Sequence, residues 1–393
     1  MIAPDQIIYL DNNATTQLDP AVLEEMLPFL TTYYGNPSSG YQIGTQVRDA
    51  IELARERVAA LVGCLPAEIV FTSGGTEANN AALNSALQLD PARRHIVTTA
   101  VEHSAIRKHC AHLAQSGCEV TVVGVDLDGQ LDLEEIARAI RPETALISVM
   151  WANNETGVLF PVEKIAALAR EKRVLFHTDA VQALGKIPLR LADLSVNFCS
   201  LSAHKLHGPK GVGALYVSGR SAFRPTLFGG GQENNRRAGT ENVASIVAFG
   251  KAAELAGAAL NNEANRVRAL RDRFEAQLLA QVPASFVNGA NAPRLPNTSS
   301  FSFAGIESDA ALLLLDRQKI CCSAGSACLT GSLQASHVLR AMHLSEERLR
   351  GIVRFSFGRF NTEAEVEQAL AIIPRVISKL RALTSPSGAS LVS

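Results

Sequence analysis

Nothing in this sequence reads as a leader, a membrane anchor or a nucleic-acid face. The stretch Met1–Gln6 lacks a basic segment followed by an apolar one, which predicts no signal peptide. No apolar run approaches the length of a membrane span, so no membrane partner is expected. The formal net charge is −1, which argues against nucleic acid and acidic lipid as partners. The expected location is the cytoplasm. Cysteine is present at seven positions (64, 110, 118, 199, 321, 322 and 328), an odd number without a C-x-x-C pair. That pattern fits reduced thiols rather than a disulfide framework. Adjacent Cys321 and Cys322 suit tetrahedral zinc poorly. The Gly-rich turn at Ser73–Thr76 is not followed by Gly-Lys-Ser/Thr, and no G-x-G-x-x-G opens a helix. A Walker loop is thereby excluded, and a nicotinamide enzyme is disfavoured. Internal repeats and low-complexity blocks are absent.

What is present is an ordinary globular composition, 47% apolar and 19% charged, over 393 residues. That length allows a large core and two domains. Short apolar strands alternate with helical patterns. Strands are expected at 68–72, 94–99, 119–124, 144–150, 173–177 and 213–217, with a further apolar run at 196–201. Helices are expected at about 77–87, 105–113, 133–139 and 162–171. This alternation predicts an α/β fold with a mostly parallel seven-stranded sheet covered on both faces. From Val243 to Val282 the pattern becomes long, Ala-rich and helical. Strands return at 298–303 and 353–357, with helices near 308–317 and 363–381. A smaller C-terminal α/β domain is expected there. The boundaries read as 16–258 for a large domain, 1–15 with 259–383 for the small one, and a disordered tail over 384–393.

Several polar residues fall just past strand ends. Lys205 lies in Ser202-Ala203-His204-Lys205-Leu206-His207-Gly208-Pro209, between histidines and a Gly-Pro turn. It is either a surface lysine or one that forms a Schiff base with an aldehyde cofactor, since a desolvated amine gives up its proton more readily. Gly75 and Thr76 open a helix after a strand, where backbone N–H groups and the helix dipole favour an anion. Asp179 either caps a helix or faces a pyridine nitrogen, with Gln182 one turn further on. Asn153 and Asn154 orient a ligand or build an Asx turn. His103 is either structural or a ring-stacking proton shuttle. Together these positions mark one edge of one sheet, where ligands bind in such folds. The set describes a pyridoxal phosphate site.

From Tyr9-Leu-Asp-Asn-Asn-Ala-Thr-Thr16 to Arg354-Phe-Ser-Phe-Gly-Arg-Phe-Asn361, the chain resembles the cysteine desulfurases of the NifS/IscS type. These belong to the fold type I, class-V aminotransferase-like pyridoxal phosphate enzymes. The most specific pieces are Ser202–Gly211, Gly229-Gly-Gly-Gln-Glu233 with Arg237-Ala-Gly-Thr240, and Ser323-Ala-Gly-Ser-Ala-Cys328-Leu-Thr-Gly-Ser332. The segment from Ser323 to Arg340 resembles the nitrogen-fixation branch. The resemblance implies that Lys205 carries pyridoxal 5'-phosphate and that Gly75, Thr76, Ser202 and His204 bind its phosphate. Thr240 would reach that phosphate from the second subunit of a homodimer. His103 would stack on the ring, Asp179 would pair with the ring nitrogen, and Asn154 and Gln182 would lie near the ring oxygen. Arg354 would clamp the substrate carboxylate, with Asn154 beside it.

Cys328 sits among Gly, Ser and Ala, a composition that suits a tether rather than a packed element. The implied reaction removes sulfur from L-cysteine, leaving L-alanine and a persulfide on Cys328. The sulfur would pass to an Fe–S cluster scaffold or another acceptor, and Cys328 would be a transient metal ligand to iron. Two alternatives stand beside this reading. One is a selenocysteine lyase or other class-V aminotransferase. The other is a sulfur-relay subunit that works mainly by binding a scaffold. The chain departs from the family pattern at Tyr41, where His is usual, and at Asn234, where Arg is usual.

Overall fold

A computed structural model describes residues 7–324 and 336–384. The chain enters through a two-residue strand, β1 (Ile8–Tyr9). Seven strands then form the central sheet: β2 (Ile69–Thr72), β3 (His95–Thr99), β4 (Glu119–Val123), β5 (Thr144–Ser148), β6 (Leu175–Asp179), β7 (Phe198–Ser202) and β8 (Gly213–Val217). Their order is β2-β8-β7-β6-β5-β3-β4. Within the sheet β8 runs antiparallel to both neighbours, and the other adjacent pairs are parallel. Side chains alternate across the sheet with the period of two that a strand imposes. Ile69, Phe71, Val97, Ile147, Cys199, Leu201, Ala214 and Tyr216 enter one core layer. Val70, Ile96, Leu146, Phe198, Leu215 and Val217 enter the other, under helices Gly75–Leu89 and Ser104–Gln115. Truncating a ring such as the fully buried Phe176 would cost about 3–5 kcal/mol.

Helix Val243–Gln281 runs for 39 residues. Its first half packs on helix Gln42–Val62, and small residues let the two backbones meet: a Cβ at Gly250 would lie 2.5 Å from Ala54 Cα. Its second half contributes Val267, Leu270, Phe274 and Leu278 to a separate core with Phe301, Phe303, Phe355 and Phe357. By length and composition this helix is apolar enough to cross a membrane, which corrects the expectation that no segment approaches that length. More than half of the apolar window is buried against protein, so its hydrophobicity serves the core.

The second core is built on β9 (Ser285–Val287), β10 (Thr298–Phe303), β11 (Ile320–Cys321) and β12 (Ile352–Ser356). β10 pairs antiparallel with β9 and β12, while β1 pairs parallel with β11. Leu10 N donates to Cys321 O (2.9 Å) and Ser356 N to Leu10 O (2.7 Å), which threads the N-terminal stretch between β11 and β12. Residues 338–349 return to the first core through Val338, Leu339, Met342 and Leu349. Helix Glu363–Thr384 covers the second core and continues through Pro374 despite the lost backbone donor.

Candidate active site

Because β2, β3, β5, β6 and β7 are mutually parallel, the turns after them open on one edge of the sheet. After β2, Ser73 and Gly74 lead into helix Gly75–Leu89, whose N-terminus points at that edge. Gly75 is packed too closely to carry a side chain: a Cβ there would come 2.8 Å from Val181 Cγ2. Thr76 follows, exposed, and Ser202 lies buried at the end of β7 beside Gly75. His204 is one turn further, its Nδ1 3.2 Å from Thr15 Oγ1. Burial, with the nearby charges of Lys205, Lys210 and Lys186, pushes the His204 ring down to about 3, so it is neutral at physiological pH.

Asp179 ends β6, and no α-helix follows it. In place of the helix cap allowed by the sequence, Asp179 Oδ1 accepts from Val181 N within a turn (3.0 Å). Its Oδ2 accepts from Asn79 Nδ2 (2.7 Å). The carboxylate is thus aimed by two donors from two elements. Lys205 closes a short 3-10 turn, Ala203–Lys205, and its Nζ donates to Asn13 O and Ala14 O, both at 2.6 Å. Gln182 Nε2 donates to the same Asn13 carbonyl (3.0 Å).

His103 caps helix Ser104–Gln115, its Nδ1 accepting from Ala105 N (3.1 Å). That contact assigns the ring proton to Nε2 in the neutral form. The two asparagines after β5 divide their work. Asn153 builds the Asx turn, its Oδ1 accepting from the backbone N–H groups of Glu155 and Thr156. The Asn154 carbonyl accepts from Arg354 Nη1 (2.8 Å) and Asn13 Nδ2 (3.2 Å).

Arg354 arrives from β12 and is 1% exposed. Its Nη2 pairs with Asp11 Oδ1 (2.8 Å), and Asp11 Oδ2 accepts from Ser323 Oγ (2.9 Å). Two buried carboxyls flank the site. Burial pushes Glu102 up to about 8 although Met150 N and Thr99 Oγ1 both donate to its Oε1. Burial likewise raises Glu155, which is hydrogen-bonded to Ser336 Oγ.

Thr240 is exposed and lines a groove of its own chain with Thr72, Ser73 and Gly211. The loop before it contains three successive left-handed residues, Glu233, Asn234 and Asn235. Asn tolerates that conformation better than Arg does, which accounts for Asn234. Cys328 lies outside the described residues. Burial raises the thiols of all six described cysteines, Cys64 and Cys110 up to about 12. Among the described residues no group of three or more His, Cys, Asp or Glu side chains is arranged for a metal ion.

The donor set fits pyridoxal phosphate. A helix N-terminus, hydroxyls and a neutral imidazole suit a phosphate; an oriented carboxylate and an amine suit the ring. Asn79 Oδ1, buried beside Asp179, has no partner among the described residues. Asp11, Asn13, Asn79 and Lys186 are structural members of this site that sequence reasoning did not single out. Asp11 and Asn13 lie in the Tyr9–Thr16 motif, and Asn79 is one turn after Gly75 on the apolar helix face, so a signal existed for these three.

Residues 8–369 match the family model described as Aminotransferase class-V. The chain is 52% identical to "Cysteine desulfurase 2" of Trichormus variabilis over 378 residues, 96% of this chain and 95% of that protein. It is 49% identical to "Cysteine desulfurase NifS" of Azotobacter vinelandii, over 95% of this chain and 93% of that one. A solved structure titled "NIFS-LIKE PROTEIN" superposes with a TM-score of 0.89 at 38% identity, covering 95% of this chain and all of the other.

Proposed function

We propose a division of labour from one premise: this chain belongs to the aminotransferase class-V family and is a pyridoxal-phosphate-dependent cysteine desulfurase. The observation that carries the assignment of residues is the link between Lys205 and Arg354 through Asn13. Asn13 O accepts from Lys205, and Asn13 Nδ2 shares the Asn154 carbonyl with Arg354 Nη1. An amine and a carboxylate receptor are thereby held at a set separation by a residue of the N-terminal stretch.

Gly75, Thr76, Ser202 and His204 would hold the phosphate, and His103 would stack on the ring. Asp179 would keep the ring nitrogen protonated, and Asn154 and Gln182 would stand near the ring oxygen. Pyridoxal phosphate supplies an electron sink for bond changes at the substrate. Arg354 fixes the carboxylate of L-cysteine with its planar fork. Lys205 Nζ takes the Cα proton, and His103 Nε2 lends a proton donor nearby. The thiolate of Cys328 attacks the substrate sulfur and the Cβ–S bond breaks; its electron pair stays with Cβ, which takes up a proton, and the proton removed from Cα is returned, leaving L-alanine and a persulfide on Cys328. The raised pKa values of the six described thiols make each of them a poor thiolate and support this choice.

The enzyme works as a homodimer in which Thr240 of each chain completes the phosphate seat of the other. It works in the cytoplasm, where free thiols such as its described cysteines persist. The persulfide goes to an Fe–S scaffold or another acceptor protein, and Cys328 is a transient ligand during that transfer. Residues 16–258 act as the large domain, with 1–15 and 259–383 as the small one. The test is Cys328→Ala followed by mass spectrometry after L-cysteine treatment. Wild type gains one sulfur on the peptide containing Cys328; the variant binds cofactor and cysteine yet makes almost no sulfide. Undiminished sulfide production by the variant refutes the assignment.

A further inference from the structure

We propose that Lys186 is a positioning residue of the cofactor site, holding Gln182 from behind so that the N–H end of its carboxamide meets the carbonyl that also receives Lys205. Lys186 Nζ donates to Gln182 Oε1 (2.8 Å), and Gln182 Nε2 donates to Asn13 O (3.0 Å), the carbonyl that also receives Lys205 Nζ (2.6 Å). The Asn13 carbonyl can only accept, so Gln182 must turn an N–H to it, which leaves Oε1 for Lys186, whose amine can donate whether or not it is charged. One Gln182 N–H is spent on Asn13, and the second is a donor for a ring oxygen. The proposal therefore rests on the reading that Gln182 lies near that oxygen.

The location of Lys186 is electrostatically unfavourable. Burial, then the charges of Lys205 and Arg354, hold its amine well below the usual lysine range. Lys186 and Lys205 line one cavity together with Glu263 and Arg359. The backbone there is wedged: the turn at Gly185 has a φ of +70°, and its Cβ position is 3.3 Å from both Ala256 and Leu206 side chains. A lysine held in such a place keeps its contact with Gln182 at the expense of solvation, which a solvent-seeking surface lysine does not do.

The experiment uses the holoenzyme and four variants: K186M, K186Q, Q182L and K186M/Q182L. Cofactor affinity and the absorption maximum of bound cofactor are measured for each. K186M weakens cofactor binding about tenfold, the equivalent of one hydrogen bond, and shifts the absorption maximum. K186Q, which keeps an N–H donor toward Gln182, restores most of both. In the Q182L background K186M has no further effect. Additive losses in the double variant overturn the proposal, as does a K186M protein that melts earlier with unchanged absorption and affinity. If Q182L itself changes neither quantity, Gln182 is not at the ring oxygen and both readings fall.

Discussion

Glu233→Gln would remove one charge from a buried bidentate pair. Arg55 is 6% exposed and Glu233 7%. Arg55 Nη1 meets Glu233 Oε2 at 2.7 Å, Nη2 meets Oε1 at 2.8 Å, and Phe71 N also donates to Oε2 (2.9 Å). Three donors thus converge on two oxygens, and an amide offers only one acceptor atom. Whichever way Gln turns, its NH2 group faces another donor, and of its two carboxylate partners the buried guanidinium keeps only the exposed Glu52, at 3.2 Å. Removing one partner of such a pair costs about 3–5 kcal/mol; the acceptor that Gln retains puts this case near 3. The pair also holds the strained run Glu233–Asn235, with φ of 48°, 55° and 62°, which leads to Thr240. Denaturant titration should therefore show a loss of about 3 kcal/mol and faster proteolysis within 229–242. The double variant R55M/E233M should recover most of the loss, because two apolar side chains leave no buried charge behind. A Glu233→Gln protein within about 1 kcal/mol of wild type, or a double variant worse than either single one, would refute the reasoning.

Three other expectations follow from the same geometry. Lys205→Ala should fold, show no Schiff-base absorption and have no turnover; a normal Schiff-base spectrum would overturn the lysine assignment. Arg354→Lys cannot reach both Asn154 O and Asp11, so the KM for L-cysteine should rise about ten- to a hundredfold, the worth of a charged hydrogen bond; steady-state kinetics with an unchanged KM would sink the carboxylate role. Glu102 keeps its proton in the folded chain up to about pH 8, while the unfolded chain releases it near its ordinary pKa of about 4.3. Its stabilising effect is complete below that lower value and lost as pH rises to 8. Glu102→Gln, which cannot titrate, should gain on wild type by about 1 kcal/mol per pH unit across that window; parallel stability profiles from pH 5 to 8 would contradict the raised pKa.

The sheet is legible in the sequence because a strand buried on both faces reads as a short continuous apolar run, while a helix must repeat near 3.6 residues. The seven apolar runs from Glu68 to Val217 correspond to seven strands with ends shifted by a residue or two. Helix Gln42–Val62 is not announced by those runs: it precedes the first strand of the sheet and earns its place by packing on Val243–Gln281. The same packing explains why a helix apolar enough for a membrane is a core element here. Asp179 was ambiguous because a carboxylate after a strand caps a helix as readily as it meets a ligand. Asn79, 100 residues away, resolves the geometry by taking one carboxylate oxygen. Asp11 acts on Arg354 across 343 residues, a link that leaves no local pattern, whereas Lys186 and Gln182 are only four residues apart and it is their shared approach to Asn13 that the fold supplies.

By itself the sequence determined the strand–helix order, the residue types at each strand end and, through the motifs around Lys205 and Cys328, the family resemblance. Those properties are local, set by periodicity and by the chemistry of single side chains. Only the tertiary structure decided which carbonyl receives Lys205, which donors aim Asp179 and which acid holds Arg354. A hydrogen bond depends on angstrom-scale distance and direction, and here its two ends are brought together by strands and loops far apart in the chain.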